Sequence, residues 1–557
     1  MSTSSTSRRS LLRGATALAG TLAAASAAPA AAQNGRGFGR GVGQGRPADG
    51  VIAENPARRA AEAFRTRLQA ARDLFASGRA PQATNGDEAR YGDLRAVFAK
   101  TLPHDELGEP DRAAYATLTD ALRRNTDRAY EAITLDQTVR TRRLANPQAA
   151  FAVGLTGYDG QASRMPAAPA FASEETAGEM VELYWKALLR DVPFARFETD
   201  GRVARAAAEI ASHPVPAGGA TGVSDVFRGE TVGDRTGPFV SQLLLREVPF
   251  GNGSITQRYP TPARGADFMT GYEEWLTVQR GGVVGATDKR GARYIHDGRS
   301  LAEYVHVDFT YQAYLNAALI LLGLGPDFAA QGSPARRRTT TGTFVTFGAA
   351  DVVDVVSRAA NQALHAAWFQ KWCVHRRLRP ETYGGRLHNQ VTGAKAYDIP
   401  ESLADSEAVA RTRRRQETAL LSMAYPEGSP THPAYPAGHA TVAGACCTVL
   451  KAFFDEDMAL PDPVTANENG TGLVSVPGRL TVGGEIDKLA SNVTLGRDWA
   501  GVHYRSDGIR GMTVGETVAI GLLKDHAATY SGDFDGFVFR RFDGTRVRVT
   551  ARGAAVA

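Results

Sequence analysis

The chain has 557 residues, 43% hydrophobic and 22% charged, a composition typical of a globular protein that is too long for one small core. This length predicts two to four domains or one large helical body. The formal net charge is +5, but Arg8, Arg9 and Arg13 fall in a predicted export signal without acidic residues. Without them, 61 basic residues face 59 acidic ones, so overall charge gives no support for nucleic-acid binding.

Residues 1–32 have the pattern of a twin-arginine-type export signal. The arginine pair precedes a weakly apolar Ala/Leu run, and Ala30–Ala32 offers an A-x-A cleavage site. A plain Ala-rich disordered tail is the alternative. Residues 33–54 are Gly-rich, which predicts a flexible linker. No later run reaches the ~18 apolar residues of a membrane span, so we expect a periplasmic or secreted protein.

Helical spacing dominates the rest of the chain. It begins at Pro56, where proline suits the first turn of a helix. Residues 212–300 are rich in Gly and Pro and predict short segments joined by long loops. Helical patterns resume over residues 301–322 and 349–378, and again from Gly438. The predicted fold is therefore mainly α with small β elements.

The C-terminal segment "FVFRRFDGTRVRV" alternates on both sides of Asp543-Gly544, which predicts a β-hairpin. We accordingly divide the chain after the linker into three predicted regions. They are an N-terminal helical region with long loops, a helical catalytic domain, and a C-terminal hairpin and tail, over residues 55–300, 301–530 and 531–557.

Three clusters of residues could carry chemistry. In the first, Lys371, His375 and Arg379 are spaced four apart, which places them on one face of a helix that we expect to end at Pro380. The alternative is a solvated cationic face near a helix C-terminus, where positive charge is favourable in any case.

The second cluster is the start of a predicted helix at Pro436-Ala437-Gly438. The first free N–H groups of a helix can receive an anion, and Gly438 permits a close approach of the backbone. His439 adds a titratable donor beside it. An ordinary helix cap is the alternative.

In the third cluster, Arg497 and His503 would diverge by about 120° on one straight helix. They converge only if Gly496–Gly501 contains a turn. No Cys/His/Asp cluster has the spacing of a zinc or iron site, so the bound group should itself be an anion. The full set of candidate donors is Lys371, Arg379, Gly438, His439, Arg497 and His503.

These motifs resemble those of the vanadium-dependent haloperoxidase and type 2 phosphatidic acid phosphatase superfamily. The segments "HRRLRPETYGG" and "MAYPEGSPTHPAYPAGHAT" are most similar to the red-alga bromoperoxidases and their bacterial relatives. Further similarity in "YVHVDFTYQAYLNAALILL" and elsewhere extends the resemblance over about residues 150–530. The resemblance implies a large helical-bundle haloperoxidase/acid phosphatase-like fold.

The resemblance also implies vanadate as the cofactor. His503 would bind the vanadium and His439 would act as general acid/base. Lys371 would in addition polarise the peroxide. The residues implied to hold the cofactor are Lys371, Arg379, Gly438, Arg497 and His503.

Two further residues are candidates for a halide pocket. Trp368 lies one turn before the cationic cluster, and His432 matches a histidine typical of the algal bromoperoxidases. The alternatives are a core tryptophan and a loop histidine that caps a turn.

Ala437 departs from the family, which usually has serine there. A lost hydrogen bond typically costs ~0.5–1.5 kcal/mol, up to roughly tenfold in binding.

The function implied is oxidation of bromide or iodide by hydrogen peroxide to hypohalous acid, with a small organic acceptor left open. One alternative is a soluble acid phosphatase with a phosphohistidine at His503 and His439 protonating the leaving group. Another is an oxyanion-binding or assembly protein whose site has decayed. The relatives also imply a homo-oligomer. Neither a nucleic-acid partner nor a membrane span is expected.

Overall fold

A computed structural model describes residues 56–215, 222–530 and 534–557. The predicted export signal and linker lie outside the described residues. Residues Ala63–Ala557 form one compact unit. The division of the helical part at residue 300 stays a prediction. Within the described ranges, no helix is both long and apolar enough to cross a membrane.

The fold is mainly α, as predicted. Short 3-10 turns and small sheets separate the helices. The helices are α1 Pro56–Ser77, α2 Asp87–Arg90, α3 Arg112–Arg124, α4 Asp127–Tyr130, α5 Glu174–Leu189, α6 Gly201–Ser212, α7 Tyr272–Gln279, α8 Gly298–Tyr304, α9 Gln312–Gly323, α10 Pro334–Arg337, α11 Ala349–Phe369, α12 Pro380–Val391, α13 Glu401–Ala404, α14 Glu407–Gln416, α15 Gly438–Phe453, α16 Val482–Trp499 and α17 Arg505–Ala527.

In the described ranges, four small antiparallel sheets lie between and after the helices. The predicted hairpin is confirmed, with Gly544 at φ +83° in its turn. A third strand, which the sequence did not indicate, extends it into a three-stranded sheet. The strands are β1 Val248–Phe250, β2 Gly253–Ile255, β3 Tyr259–Pro262, β4 Lys289–Arg293, β5 Val464–Ala466, β6 Leu473–Ser475, β7 Phe537–Arg540, β8 Arg546–Thr550 and β9 Gly553–Val556.

Helix α15 is the centre of the bundle. All of its residues except His439 are buried, and it packs against α11, α16 and α17. Small residues bring the backbones together. A Cβ on Gly444 would lie 2.1 Å from the Met512 carbonyl oxygen, and one on Gly515 would lie 2.0 Å from the Thr441 carbonyl oxygen. The start of α15 is thereby fixed against α17.

Two of the predicted helical segments are interrupted. Residues 301–322 contain a loop between α8 and α9. The helix within residues 349–378 ends at Phe369, and a π-helical turn, Gln370–His375, follows it. Such turns occur mostly as single units inside helices, often at functional sites.

The interpretation of Pro380 as a helix end was wrong. Pro380 is the first residue of α12, and Arg379 is its N-cap. Proline is favoured there because its fixed φ suits a first turn whose N–H needs no partner. Lys371 and Arg379 therefore do not share a helical face. They belong to two consecutive elements joined by Arg376 in the left-handed region at φ +37°.

Candidate oxyanion site

A cavity of ≈ 200 Å³ opens at the N-terminal end of α15. Residues from α9, α11, α15, α16 and the loops before α9, α15 and α17 meet there. Its lining residues are Asp308, Thr310, Tyr314, Leu364, Trp368, Pro430, His432, Gly438, His439, Val442, Arg497 and His503.

Three buried cations surround this region. Lys371 and Arg379 are fully buried, and Arg497 is 4% exposed. Within the described part of the chain, none of the three forms an ion pair with a carboxylate. An unpaired buried charge is costly, because the interior replaces water poorly. A bound anion would remove that cost.

Backbone carbonyls hold the cations in place. Lys371 Nζ donates to the Pro433 oxygen at 2.5 Å and the Ala434 oxygen at 2.9 Å. Burial, together with Arg379, holds the pKa of Lys371 well below its usual value. Burial likewise lowers the pKa of Arg379 to about 9 despite Asp507. Repulsion between neighbouring cations contributes to both pKa shifts, and a bound anion would relieve it.

Arg497 reaches the cavity from the last turn of α16. Its Nη1 donates to the Val305 oxygen at 2.5 Å and to the Tyr425 hydroxyl at 3.3 Å. Its Nε is buried and has no partner among the described residues. Gly501, at φ +82°, turns the chain between α16 and α17. This is the turn that the sequence required for Arg497 and His503 to converge.

His503 is oriented by a buried carboxylate. Its Nδ1 lies 2.9 Å from Asp507 Oδ2, which fixes Nδ1 as the protonated nitrogen. Its Nε2 lies 2.9 Å from Arg379 Nη1 and so presents a lone pair toward the cations. Burial, then Arg379 and Lys371, hold the pKa of His503 well below its usual value. A neutral imidazole with an unprotonated Nε2 is a suitable ligand for a metal centre.

Asp507 is held in turn by Arg377. Arg377 Nη1 donates to Asp507 Oδ1 at 2.9 Å, and its Nη2 donates to Glu179 at 3.1 Å. The guanidinium also lies 3.8 Å from the ring centroid of Tyr504. This network supports His503 from the side opposite Arg379.

His439 is the one partly exposed residue of α15. Its Nε2 lies 2.9 Å from Asp308 Oδ1, and its side chain is 30% exposed. Burial raises the pKa of Asp308, but His439 and Arg497 favour the charged carboxylate and the net pKa is lowered. Asp308 is therefore a carboxylate that orients the imidazole, and Nδ1 is left for exchange with a bound molecule.

The predicted halide residues contact each other. The rings of Trp368 and His432 lie 4.8 Å apart between centroids. Trp368 donates from Nε1 to the Ala145 oxygen at 3.1 Å. His432 Nδ1 lies 3.0 Å from Arg379 Nη2. The two rings thus form an aromatic wall of the cavity against the cationic wall.

The predicted site residues occupy two layers. Arg497, His503, Gly438 and His439 line the cavity directly, whereas Lys371 and Arg379 stand behind that lining. Arg379 donates a hydrogen bond to Nε2 of His503. A cofactor bound through Nε2 would replace this hydrogen bond. Ala437, the N-cap of α15, makes no side-chain cap.

The sequence interpretation missed both orienting carboxylates. Asp507 lies four residues after His503, a spacing that could have indicated a contact. Asp308 lies in a segment with the spacing of one continuous helix, so the sequence did not indicate the loop that contains it. His375 has no hydrogen-bond partner for its buried Nε2 in the described residues and packs edge-on against Tyr435.

Comparisons with known proteins identify the family. A family model described as the VCPO second helical-bundle domain matches residues 352–532. A vanadium-dependent bromoperoxidase of Ascophyllum nodosum is 36% identical over 527 residues, covering 89% of this chain and 94% of that protein. The chain belongs to the vanadium-dependent bromoperoxidase family. The bromoperoxidase of Corallina pilulifera is 32% identical over 605 residues, covering 90% and 100% of the two chains.

A solved bromoperoxidase has the same fold. The homohexameric second vanadate-dependent bromoperoxidase of Ascophyllum nodosum superposes with a TM-score of 0.85 at 28% identity, covering 95% of each chain. The predicted resemblance and the haloperoxidase-like helical fold are thereby confirmed. The residues at the cavity also fit the cofactor that these bromoperoxidases are named for. Buried cations that pair with no carboxylate in the described part of the chain suit a vanadate oxyanion, and the oriented His503 suits its metal.

Proposed function

We propose that this protein is a vanadate-dependent haloperoxidase that uses hydrogen peroxide to oxidise bromide or iodide to hypohalous acid. The observation that carries the proposal is that His503, fixed by Asp507, lies beside three buried cations that have no carboxylate partner among the described residues. Membership of the bromoperoxidase family supports it.

We assign the cofactor to the buried layer of the site. His503 would bind vanadium through Nε2, while Lys371, Arg379 and Arg497 neutralise the oxyanion. The Gly438 N–H, the first of α15, donates to it as well. Vanadate supplies a Lewis-acid centre that activates hydrogen peroxide without a change of oxidation state.

The protein's own groups would handle protons and position the peroxide. His439 would take a proton at Nδ1 from the incoming peroxide and return it later, while Asp308 holds Nε2 and stabilises the imidazolium. Lys371 would polarise the peroxide from its fixed position behind the cavity lining. Arg379 would leave Nε2 of His503 when the anion binds.

We propose that the halide approaches along the aromatic wall of Trp368 and His432. A Cβ on Gly438 would lie 3.3 Å from Trp368, so the indole stands directly beside the helix start. An apolar, polarisable wall suits a large and weakly hydrated halide such as bromide or iodide. A small organic acceptor of the hypohalous acid is left open.

The test is an assay of the mature protein with and without orthovanadate. We expect peroxide-dependent oxidation of bromide and iodide only after loading with vanadate. Phosphate-ester hydrolysis, measured on the same samples, should be weak. Halogenation that is absent with vanadate, while ester hydrolysis proceeds without it, would replace the proposal by a soluble phosphatase.

We further propose that the protein is exported through its twin-arginine-type signal and forms a homo-oligomer. The arginine pair and the A-x-A site support export. The homohexameric relative supports self-association. The N-terminal sequence of the secreted product and its mass by light scattering would test both. A product that retains residues 1–32, or a monomer, would contradict them.

A further inference from the structure

The loop between α8 and α9 and the loop before α15 both build the candidate site. The first provides the Val305 oxygen to Arg497 and Asp308 to His439. The second provides the carbonyls of Pro433 and Ala434 to Lys371. The position of the anion-binding groups therefore depends on how these two loops are held together.

His306 belongs to the first of these loops and contacts the second. Its Nε2 is 2.6 Å from Glu427 Oε1, on the loop before α15, and its Nδ1 is 3.4 Å from Glu303 Oε2, at the end of α8. Its ring stacks on Tyr425, with centroids 3.8 Å apart and planes at 7°. The side chain is 19% exposed, so these contacts are largely shielded from water.

The same tyrosine contacts Arg497. Its hydroxyl accepts from Arg497 Nη1 at 3.3 Å and donates to the Ala302 oxygen at 2.6 Å. The guanidinium lies 5.5 Å from the tyrosine ring centroid. His306 and Arg497 are thus linked through one aromatic ring and through the peptide that joins Val305 to His306.

We propose that His306 is a positioning residue for the anion site, which as a cation bridges Glu303 and Glu427 and keeps Arg497 aimed at the bound oxyanion. The inference rests on the proposed function, since it concerns the same site. His306 does not contact the vanadate-binding residue His503. It acts through Tyr425 and the loop that carries Val305.

The charges around His306 favour its protonated form. Burial lowers the pKa of His306, but the hydrogen bonds to Glu303 and Glu427 outweigh it and the net pKa is raised. The pKa values of Glu303 and Glu427 are lowered by the same contacts, against burial. Lys289 pairs with Glu303 at 2.5 Å, and Arg142 donates to the Glu427 backbone oxygen at 2.7 Å. Only a doubly protonated imidazole can donate to both carboxylates.

The raised pKa of His306 determines how the affinity for the anion changes with pH. A raised pKa in the folded state means that the bridge is complete below the unfolded-state pKa and is lost as pH rises through the folded-state pKa. The affinity for the anion should therefore decline on the alkaline side partly through His306. A variant without a titrating group at position 306 should lack the part of this alkaline decline in affinity that is due to His306.

The test measures orthovanadate binding by calorimetry on the unloaded full-length mature protein. His306→Gln keeps one hydrogen bond but cannot become a cation, and Glu427→Gln removes one carboxylate. We expect both to raise the vanadate Kd at pH 6 by about three- to thirtyfold, the range of indirect coupling within such networks. In His306→Gln the difference from wild type should shrink as pH rises. The KM for bromide at saturating vanadate should change less than twofold.

His388→Gln is the matched control. His388 also packs on a tyrosine, Tyr272, at 5.3 Å, and accepts from the Ala419 N–H at the start of the loop before α15. Among the described residues it makes no hydrogen bond or ring contact with Glu303, Tyr425 or Glu427. It should leave the vanadate Kd and its pH profile unchanged. The melting temperature of each variant separates a loss of fold from a loss of affinity, and Glu427→Gln keeps the test available if His306→Gln does not fold.

The outcomes separate the two proposals. A wild-type protein that neither binds vanadate nor halogenates overturns the proposed function. A wild type that does both, with His306→Gln and Glu427→Gln matching it in Kd and pH profile, overturns the positioning role alone. An equal loss of affinity in His388→Gln would also overturn it, because the effect would then not depend on the His306 bridge.

Discussion

Position 437 is the residue at which the family resemblance implies a departure, alanine in place of serine. Ala437 is buried, caps α15 without a side-chain hydrogen bond, and directly precedes Gly438. Serine is a preferred N-cap because its hydroxyl can accept from the first turn of the helix. The same hydroxyl could instead donate to a bound oxyanion.

Ala437→Ser should therefore tighten vanadate binding. We expect a Kd lower by up to about tenfold, the value of one added hydrogen bond. Calorimetric titration with orthovanadate measures it. Ala443→Ser, which introduces the same hydroxyl at a buried position in the interior of α15, is the control and should not change the Kd. An unchanged affinity in Ala437→Ser would show that the missing hydroxyl does not matter in this protein.

Asp507 determines which nitrogen of His503 carries the proton. Asp507→Asn should lower the vanadate affinity by about 10–100-fold, because orienting partners of metal ligands typically have that effect. It should also destabilise the fold by about 3–5 kcal/mol, because Arg377 then loses one buried partner. Binding titrations and chemical unfolding measure the two effects separately.

Asp498→Asn is the control for that experiment. Asp498 is an equally buried carboxylate, paired with Lys186 at 3.2 Å and without contact to His503. Its replacement should affect stability much more than vanadate affinity. A similar loss of affinity in both variants would indicate a general effect of buried charge and would contradict the orienting role of Asp507.

At the scale of elements, the turn between α16 and α17 brings Arg497 and His503 together. Gly501→Ala should destabilise the fold by about 1–3 kcal/mol, because an L-residue is strained at its φ of +82°. A Cβ there would also lie 3.0 Å from the Met423 sulfur. We expect the vanadate affinity to fall together with stability, since the turn positions Arg497 and His503 of the candidate site.

Gly544→Ala separates strain from site geometry. Gly544 has nearly the same φ, +83°, but lies in the C-terminal hairpin, where no atom of the described residues is within 4 Å of the added Cβ. It should lower stability without changing the vanadate affinity. Equal effects of the two variants on affinity would contradict the role assigned to the α16–α17 turn.

At the scale of the whole molecule, buried carboxyls determine part of the pH dependence of stability. Burial raises the pKa of Glu456 to about 7, against the attraction of Lys451. Glu456 Oε2 accepts from the Arg540 N–H at 2.7 Å and so joins the end of α15 to the C-terminal sheet. Because its folded-state pKa is raised, stability falls as pH rises from about 4.5 to 7 and remains lower above that window.

Glu456→Gln should remove this cost, since glutamine keeps an acceptor for Arg540 but does not ionise. We expect the variant to be more stable than wild type by about 1–3 kcal/mol at pH 8, with the difference shrinking toward pH 5. Unfolding by urea across this pH range measures it. Asp457→Asn, an exposed neighbour, controls for the change in net charge. A gain that is independent of pH would contradict the assignment to Glu456.

The sequence by itself determined the mainly helical fold, the C-terminal hairpin, the need for a turn before His503 and the family. These follow from local periodicity, turn residues and short motifs, which depend on near neighbours in the chain. It did not determine the π-helical turn at Lys371 or the role of Pro380 as a helix start. The same residues fit a continuous helix equally well until packing decides where it ends.

Only the tertiary structure decided which groups support the site. Asp507 is only four residues from His503, and the turn that starts α17 sets their distance of 2.9 Å. Asp308 was missed because its role comes from a contact across the fold, 2.9 Å to His439. The bridge from His306 to Glu427 likewise joins residues 121 positions apart. Burial strengthens these contacts, because electrostatic interactions are strongest, and an unpaired charge is most costly, where water is excluded. Burial is a property of the packed molecule and cannot be read from the order of its residues.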